Sequence, residues 1–266
     1  MASYRPKKRL GQNFLTSPQI IGEIIALVAP QPGDTIVEIG PGRGALTLPL
    51  AQSGAALWAV EFDRDLVVRL LRLVTQHPQA HVINADFLQF EPSSRGLADF
   101  KLIGNIPYSI TSPVIDWCLR HAGMIQFAVL MVQKELAARI SASPGAKAWA
   151  PLSIFTQMCF QVERCLEVAP RHFQPPPKVT STVIKLTPLQ QPGAESTPEF
   201  ERVVRVAFAH RRKTLLNNLV PELIASPKDA KMALQGLSLV ENSRAEELSI
   251  AQFLSLTELL GGRKLI

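Results

Sequence analysis

Cysteine is nearly absent from this chain of 266 residues: Cys118, Cys159 and Cys165 are the whole set, with no CxxC pair and no metal-ligand spacing. An odd, scattered set excludes a disulfide framework and gives no ground for a metal, and the three are expected to be reduced, mostly buried thiols. Long hydrophobic runs are missing too. No apolar stretch reaches the roughly 18 residues a membrane span needs, so no membrane association is expected. The basic N-terminus Met1-Ala2-Ser3-Tyr4-Arg5-Pro6-Lys7-Lys8-Arg9 leads into Gly11-Gln12-Asn13, where a secretory signal would carry an apolar core. A cytoplasmic protein is therefore expected. Charged residues are sparse at 19%, while 47% are hydrophobic, a balance that excludes a largely disordered chain. No internal repeat or low-complexity tract is evident.

What is present begins with a cationic excess: 28 Lys and Arg against 22 Asp and Glu, a formal charge of +6. A polyanionic partner fits that excess, and its distribution says more than its size. Two dense clusters, Lys7-Lys8-Arg9 and His210-Arg211-Arg212-Lys213, are positioned to bracket a nucleic-acid surface, although each by itself also reads as solvated charge.

The length suits one large lobe and a small companion. Residues 18 to 187 alternate β-branched apolar runs with amphipathic stretches, the pattern of an α/β domain with a mainly parallel sheet. Strands are predicted at 35–39, 56–60, 81–83, 100–103, 126–132, 160–168 and 179–186, and helices at 18–29, 45–53, 65–75 and 113–120. The almost continuous apolar run 126–132 is expected at the sheet centre. Residues 189–195 read as a linker. Beyond it Thr197-Pro198, Ser226-Pro227 and Ser249 with Gln252 carry helix-start signals. The expected division is an α/β domain over 1–188 and a small all-helical domain over 196–266.

Glu38-Ile39-Gly40-Pro41-Gly42-Arg43-Gly44 follows a strand and opens a helix, where absent side chains let a ligand approach the backbone. The turn alone is weak evidence. Glu61 ends the second strand at the spacing from which a carboxylate accepts ribose hydroxyls, and Asp86, in Asn84-Ala85-Asp86-Phe87, ends the third. Asp86 also reads as a helix N-cap. The turn lacks the GxGxxG spacing and no helix-opening lysine follows, so NAD and ATP lose ground. A nucleoside without phosphates, such as S-adenosylmethionine, fits better.

Gly104-Asn105-Ile106-Pro107-Tyr108 lies at the end of the fourth strand. Asn105 offers an amide oxygen, Ile106 a backbone carbonyl, Pro107 stiffens the turn, and Tyr108 supplies a flat face. Two acceptors converging on an exocyclic amine would aim its lone pair at a methyl sulfonium, with the tyrosine stacked on a flipped base. Phe173, ahead of Pro175-Pro176-Pro177, is a second candidate stacking surface. Arg211, Arg212 and Lys213 are candidate phosphate contacts on a basic helix.

The segments Lys8-Arg9-Leu10-Gly11-Gln12-Asn13-Phe14-Leu15, Val37-Glu38-Ile39-Gly40-Pro41-Gly42, Asn84-Ala85-Asp86 and Asn105-Ile106-Pro107-Tyr108 closely resemble those of the ribosomal RNA adenine N6-dimethyltransferases. The resemblance continues in Met131-Val132-Gln133-Lys134-Glu135, Pro175-Pro176-Pro177-Lys178-Val179 and His210-Arg211-Arg212-Lys213-Thr214-Leu215. It implies a Rossmann-like class I methyltransferase, with a mostly parallel seven-stranded sheet and a small C-terminal all-helical domain that binds RNA. It also implies S-adenosylmethionine as cofactor, held by Asn13, Leu15, Gly40, Glu61, Asp86 and Asn105, and catalysis by Asn105, Ile106, Pro107 and Tyr108. The branch it most resembles dimethylates two neighbouring adenines in the 3′-terminal hairpin of small-subunit ribosomal RNA. A monomer acting on a pre-ribosomal particle is the partner picture it implies. Alternatives are a large-subunit methylase of the macrolide-resistance type, a non-catalytic assembly or transcription factor on the same fold, and a DNA adenine methylase. Ser109 departs from the asparagine or histidine expected after the tyrosine.

Overall fold

The computed structural model describes residues 6, 7, 11–190, 197–220, 222–237 and 239–262. Two compact units emerge: Met1–Ala137 with Phe160–Pro188, and Ala138–Cys159 with Leu189–Ile266.

In the first unit the chain alternates strand and helix. The elements run β1 (Phe14–Leu15), α1 (Pro18–Val28), β2 (Thr35–Ile39), α2 (Thr47–Gln52), β3 (Ala56–Glu61), α3 (Arg64–Leu73) and β4 (Ala80–Asn84), followed by β5 (Phe100–Asn105), α4 (Thr111–Arg120), β6 (Ile125–Gln133) and α5 (Lys134–Ile140). After the excursion into the second unit come β7 (Phe160–Val168), β8 (Phe173–Gln174) and β9 (Ser181–Pro188). Seven strands form one sheet in the order β4-β3-β2-β5-β6-β9-β7. The first five are parallel, and β9 runs antiparallel to both β6 and β7. This is the mostly parallel α/β sheet expected. Its centre, however, is β5 rather than the longer apolar run of β6, because β9 and β7 add only two strands beyond β6.

Parallel strands covered on both faces carry side chains that leave water on either side. Ile36, Val37 and Ile39 of β2, Leu102 and Ile103 of β5, and Ala128 to Val132 of β6 are all buried. Burial of one such aliphatic side chain stabilises by about 1.5–3 kcal/mol. Lys101 of β5 is buried beside them: it bonds Asp34 at 2.6 Å and reaches the carbonyls of Val28 and Ala29 at 3.4 and 3.3 Å. A cation there satisfies orphan carbonyls where α1 ends in the left-handed Ala29 (φ 44°).

The second unit is helical: α6 (Pro151–Cys159), α7 (Pro198–Ala207), α8 (Leu215–Leu219), α9 (Pro227–Gly236) and α10 (Ile250–Gly262). The expected helix starts are present. Thr197 accepts from Phe200 N–H and Ser226 from Asp229 N–H, while Ser249 and Gln252 bond reciprocally as a capping box. Residues 138–159 depart from the expected 1–188 domain. Trp149, Ile154 and Met158 pack with Phe200, Val204 and Phe253 in the helical core, and Trp149 Nε1 donates to the Leu248 carbonyl at 3.0 Å. The basic helix is a second correction. His210 to Lys213 lie in the turn between α7 and α8, because Asn218 donates to the carbonyls of Ala207 and His210 and Thr214 caps α8, ending one helix and starting the next around the cluster. A third concerns the thiols: Cys118 is buried, but Cys159 is half-buried and Cys165 exposed at a bulge in β7. Among the described residues no helix is long and apolar enough to cross a membrane.

Candidate active site

Parallel strands present their carboxyl ends on one edge, and the candidate residues gather there because β2, β3, β4 and β5 all end at it. A cavity of about 300 Å³ is lined by Gln12, Asn13, Phe14 and Leu15 of the N-terminal arm, by the turn from Glu38 to Arg43, and by Glu61 and Phe62. Asp86, Asn105 to Ile110 and Phe173 also line it. Every expected cofactor and catalytic residue therefore touches one space within the first unit.

The glycine turn is shaped by backbone requirements. Gly40 and Gly42 both hold positive φ, at 57° and 60°. A Cβ on Gly42 would sit 3.0 Å from the Phe14 ring, whereas a Cβ on Gly40 would meet nothing within 4 Å. Gly40 thus borders open cavity, and Gly42 lets the arm close against the turn. Arg43 stacks over Phe14 with its guanidinium 4.5 Å from the ring centre.

Glu61 is 6% exposed and is bonded through both oxygens by its own neighbourhood. One carboxylate oxygen accepts Gly42 N–H at 2.9 Å and the other Asp63 N–H at 2.8 Å. Burial nevertheless pushes its carboxyl above the ordinary range. Glu38, one strand over, is 1% exposed with Oε2 unpartnered. Burial pushes it up to about 8, and the charge of Glu61 adds to the rise. Asp86 takes the capping role that its sequence allowed, accepting Leu88 N–H at 3.0 Å, and lines the cavity as well.

Asn105 is oriented by the arm: its Nδ2 donates to the Asn13 carbonyl at 2.9 Å, which leaves Oδ1 as the acceptor of the amide. Ile106 N–H is spent on the Met131 carbonyl at 3.1 Å, fixing the turn that presents its own carbonyl. Gly104 is required beneath them. A Cβ there would stand 2.9 Å from Ile39 Cβ and 2.8 Å from Ile106 Cδ1. Tyr108 is half-buried and its hydroxyl meets Ser181 Oγ at 2.9 Å. Phe173 is 5% exposed, paired through β8 with Leu15 of β1, and packed in the core cluster with Ile103 and Met131. It borders the cavity rather than standing free over it.

The basic candidates fare unevenly. Lys8 and Arg9 lie outside the described residues. Lys7 is already paired, 2.7 Å from Asp63 and 2.8 Å from Asp65. Arg211 bonds Glu246 and the Lys147 carbonyl, while Arg212 and Lys213 are exposed. Residues overlooked by the sequence reading are Phe62, 59% exposed on the cavity wall, and Ser181. An aromatic directly after a strand-end carboxylate was the available signal for Phe62. Ser181 had none, since its partner is 73 residues away.

The lining is mostly apolar, with the acids Glu38, Glu61 and Asp86 against the single cation Arg43. A polyphosphate would be repelled there, whereas an uncharged nucleoside carrying cationic groups is complemented.

Residues 4–261 match the family model described as ribosomal RNA adenine dimethylase. A curated relative from Thiobacillus denitrificans, named ribosomal RNA small subunit methyltransferase A, is 41% identical, with 98% of this chain and all of that protein covered. One of the same name from Thermosynechococcus vestitus is 40% identical over 96% of this chain and 97% of its own length. Among solved structures, a dimethyladenosine transferase from Plasmodium falciparum superposes with a TM-score of 0.81 at 26% identity, covering 95% of this chain and 98% of that one. The 23S rRNA methyltransferase ErmE gives 0.74 at 29%, covering 94% and 100%.

Proposed function

The chain belongs to the ribosomal RNA adenine dimethylase family, and from that premise we propose that it transfers methyl groups from S-adenosylmethionine to N6 of two adjacent adenines in the 3′-terminal hairpin of small-subunit ribosomal RNA. The observation that carries this reading is a single cavity lined both by the carboxylates Glu61 and Asp86 and by the acceptor turn Asn105-Ile106-Pro107-Tyr108. The cofactor supplies, when bound, an electrophilic methyl on a sulfonium.

Glu61 would hold the ribose hydroxyls and Asp86 the cofactor's adenine amine, with the exposed face of Phe62 against its ring. Asn13, Leu15 and the open side of Gly40 would shape the remainder, and Asn105 would lie beside the methionine end. Asn105 Oδ1 and the Ile106 carbonyl would accept the two N6 hydrogens of the substrate base, so that the nitrogen lone pair faces the methyl. Tyr108 would stack on the flipped base, with Phe173 walling the pocket. The amine sheds its proton to water after attack, so these residues need only position it.

The small-subunit assignment rests on relatives of that name at 37–41% identity over nearly their whole length. ErmE, at 29%, keeps large-subunit methylation as the second reading. The helical unit, with Arg211, Arg212 and Lys213, and Lys8 and Arg9 of the basic arm would meet RNA phosphates, whereas Lys7 is held by Asp63 and Asp65. We read the protein as a cytoplasmic monomer acting on a pre-ribosomal particle. The test is incubation with labelled S-adenosylmethionine and, separately, small subunits, large subunits, naked RNA and duplex DNA, followed by mapping of the modified base. Label in two adjacent small-subunit adenines is expected. Label confined to large-subunit RNA or to DNA overturns the assignment.

A further inference from the structure

Tyr108 and Ser181 come from opposite sides of strand β6. Tyr108 follows β5, Ser181 opens β9, and β6 runs between these strands with Gln133, at its end, in register with Ser181. Ser181 is buried at 1% exposure, and its hydroxyl meets the phenol oxygen of Tyr108 at 2.9 Å. A phenol tied at its far end cannot swing about its Cα–Cβ bond without breaking that contact, so the long axis of the ring is held by a residue on another strand. With its hydroxyl held by Ser181, the ring lines the cavity.

We propose that Ser181 is a positioning residue which pins the Tyr108 ring, and that the pin matters more for the second methyl transfer than for the first. This rests on the methylation reading above. In each transfer the carbon–sulfur bond of the sulfonium breaks as a thioether, the carbon–nitrogen bond forms from the N6 lone pair, and one N6 proton leaves to water. Unmodified adenine has two N6 hydrogens for the two acceptors, Asn105 Oδ1 and the Ile106 carbonyl. N6-methyladenine has one. In the second round one acceptor has no hydrogen to accept, so the base is oriented by a single hydrogen bond and by the stacked ring. A loosened ring therefore penalises that round selectively.

Ser181→Ala should raise the ratio of monomethyladenine to dimethyladenine about fivefold, the effect expected of one lost hydrogen bond, while cofactor KM stays unchanged. The readout is nuclease digestion and mass spectrometry of small-subunit RNA after limited turnover. Tyr108→Phe removes the same bond from the other side and keeps the ring, so it should shift the ratio equally, and the double variant should be no worse than either single. Equal slowing of both rounds, or additive effects in the double variant, overturns the proposal. A second measurement needs no substrate. The chain has only two tyrosines, Tyr4 and Tyr108, so protein labelled at tyrosine Cζ reports the phenol contact directly. Ser181→Ala should move one of the two signals and leave the other, and unmoved signals overturn the pin. If wild-type protein methylates no RNA, the functional reading fails, and the spectrum alone judges whether Ser181 holds the ring.

Discussion

The two halves of the cavity are built in opposite ways. On the cofactor side most contacts run to near neighbours along the chain: Asp63 N–H reaches Glu61 two residues back and Leu88 N–H reaches Asp86 two residues back, while the longest, from Gly42 N–H to Glu61, spans 19 residues. On the acceptor side the side chains are held from far away. Asn105 is bonded to the arm across 92 residues and Tyr108 to Ser181 across 73. Carboxylates gripped by adjacent backbone amides form with the strand ends themselves. An acceptor turn braced by remote segments is complete only when the whole unit has folded.

Asn105→Ala tests the acceptor side most severely. It removes the side-chain acceptor and the tie to Asn13 together, and turnover should fall by about two to three orders of magnitude, the loss typical of one preorganised hydrogen-bonding group. Binding of S-adenosylhomocysteine, measured by calorimetry, should change far less. Full turnover in this variant would sink the assigned mechanism. Glu61→Gln tests the cofactor side. Its amide nitrogen would face either the Gly42 or the Asp63 N–H, setting donor against donor, so S-adenosylhomocysteine should bind about tenfold more weakly or worse. Unchanged affinity would separate Glu61 from the ligand.

The smallest effect concerns Glu38. Its folded carboxyl is pushed up to about 8, from an ordinary 4.5, by burial. Between those two values the unfolded chain has released the proton that the folded chain keeps, so stability must decline as pH rises through this window and level off above it. Glu38→Gln should flatten that decline, so that its stability relative to the parent improves from pH 5 to pH 8. Urea denaturation at several pH values reads the difference, and parallel curves would show that Glu38 is ionised in the folded protein.

The same contrast decides what could be seen in the sequence. The glycine turn follows, and Glu61 ends, a strand with a strong apolar pattern, Asp86 follows the short run His81-Val82-Ile83, and the acceptor turn ends β5, so their meeting at one sheet edge was legible from strand order. The ladder of β1 with β8 was not, because two-residue strands leave no periodicity. Nor was α6, whose apolar residues Ile154 and Met158 find their partners some fifty to a hundred residues later, in Phe200 and Phe253. A unit assembled from two separated stretches of chain cannot be read from linear order. The basic cluster misled for a local reason: four cationic and polar residues in a row look alike on a helix or in a turn, and the deciding bonds came from Asn218 and Thr214.

Lys7 carries a consequence for how a polyanion reaches this site. One ammonium faces two carboxylates, Asp63 and Asp65, and the Asp63 side chain is almost completely covered. The charge of Lys7 is neutralised within this cluster, so it adds little to the long-range field that draws RNA inward. Attraction must come from cations whose charge still projects into solvent, with Arg212 and Lys213 among them. The formal charge of +6 therefore overstates the pull at the cavity's own rim.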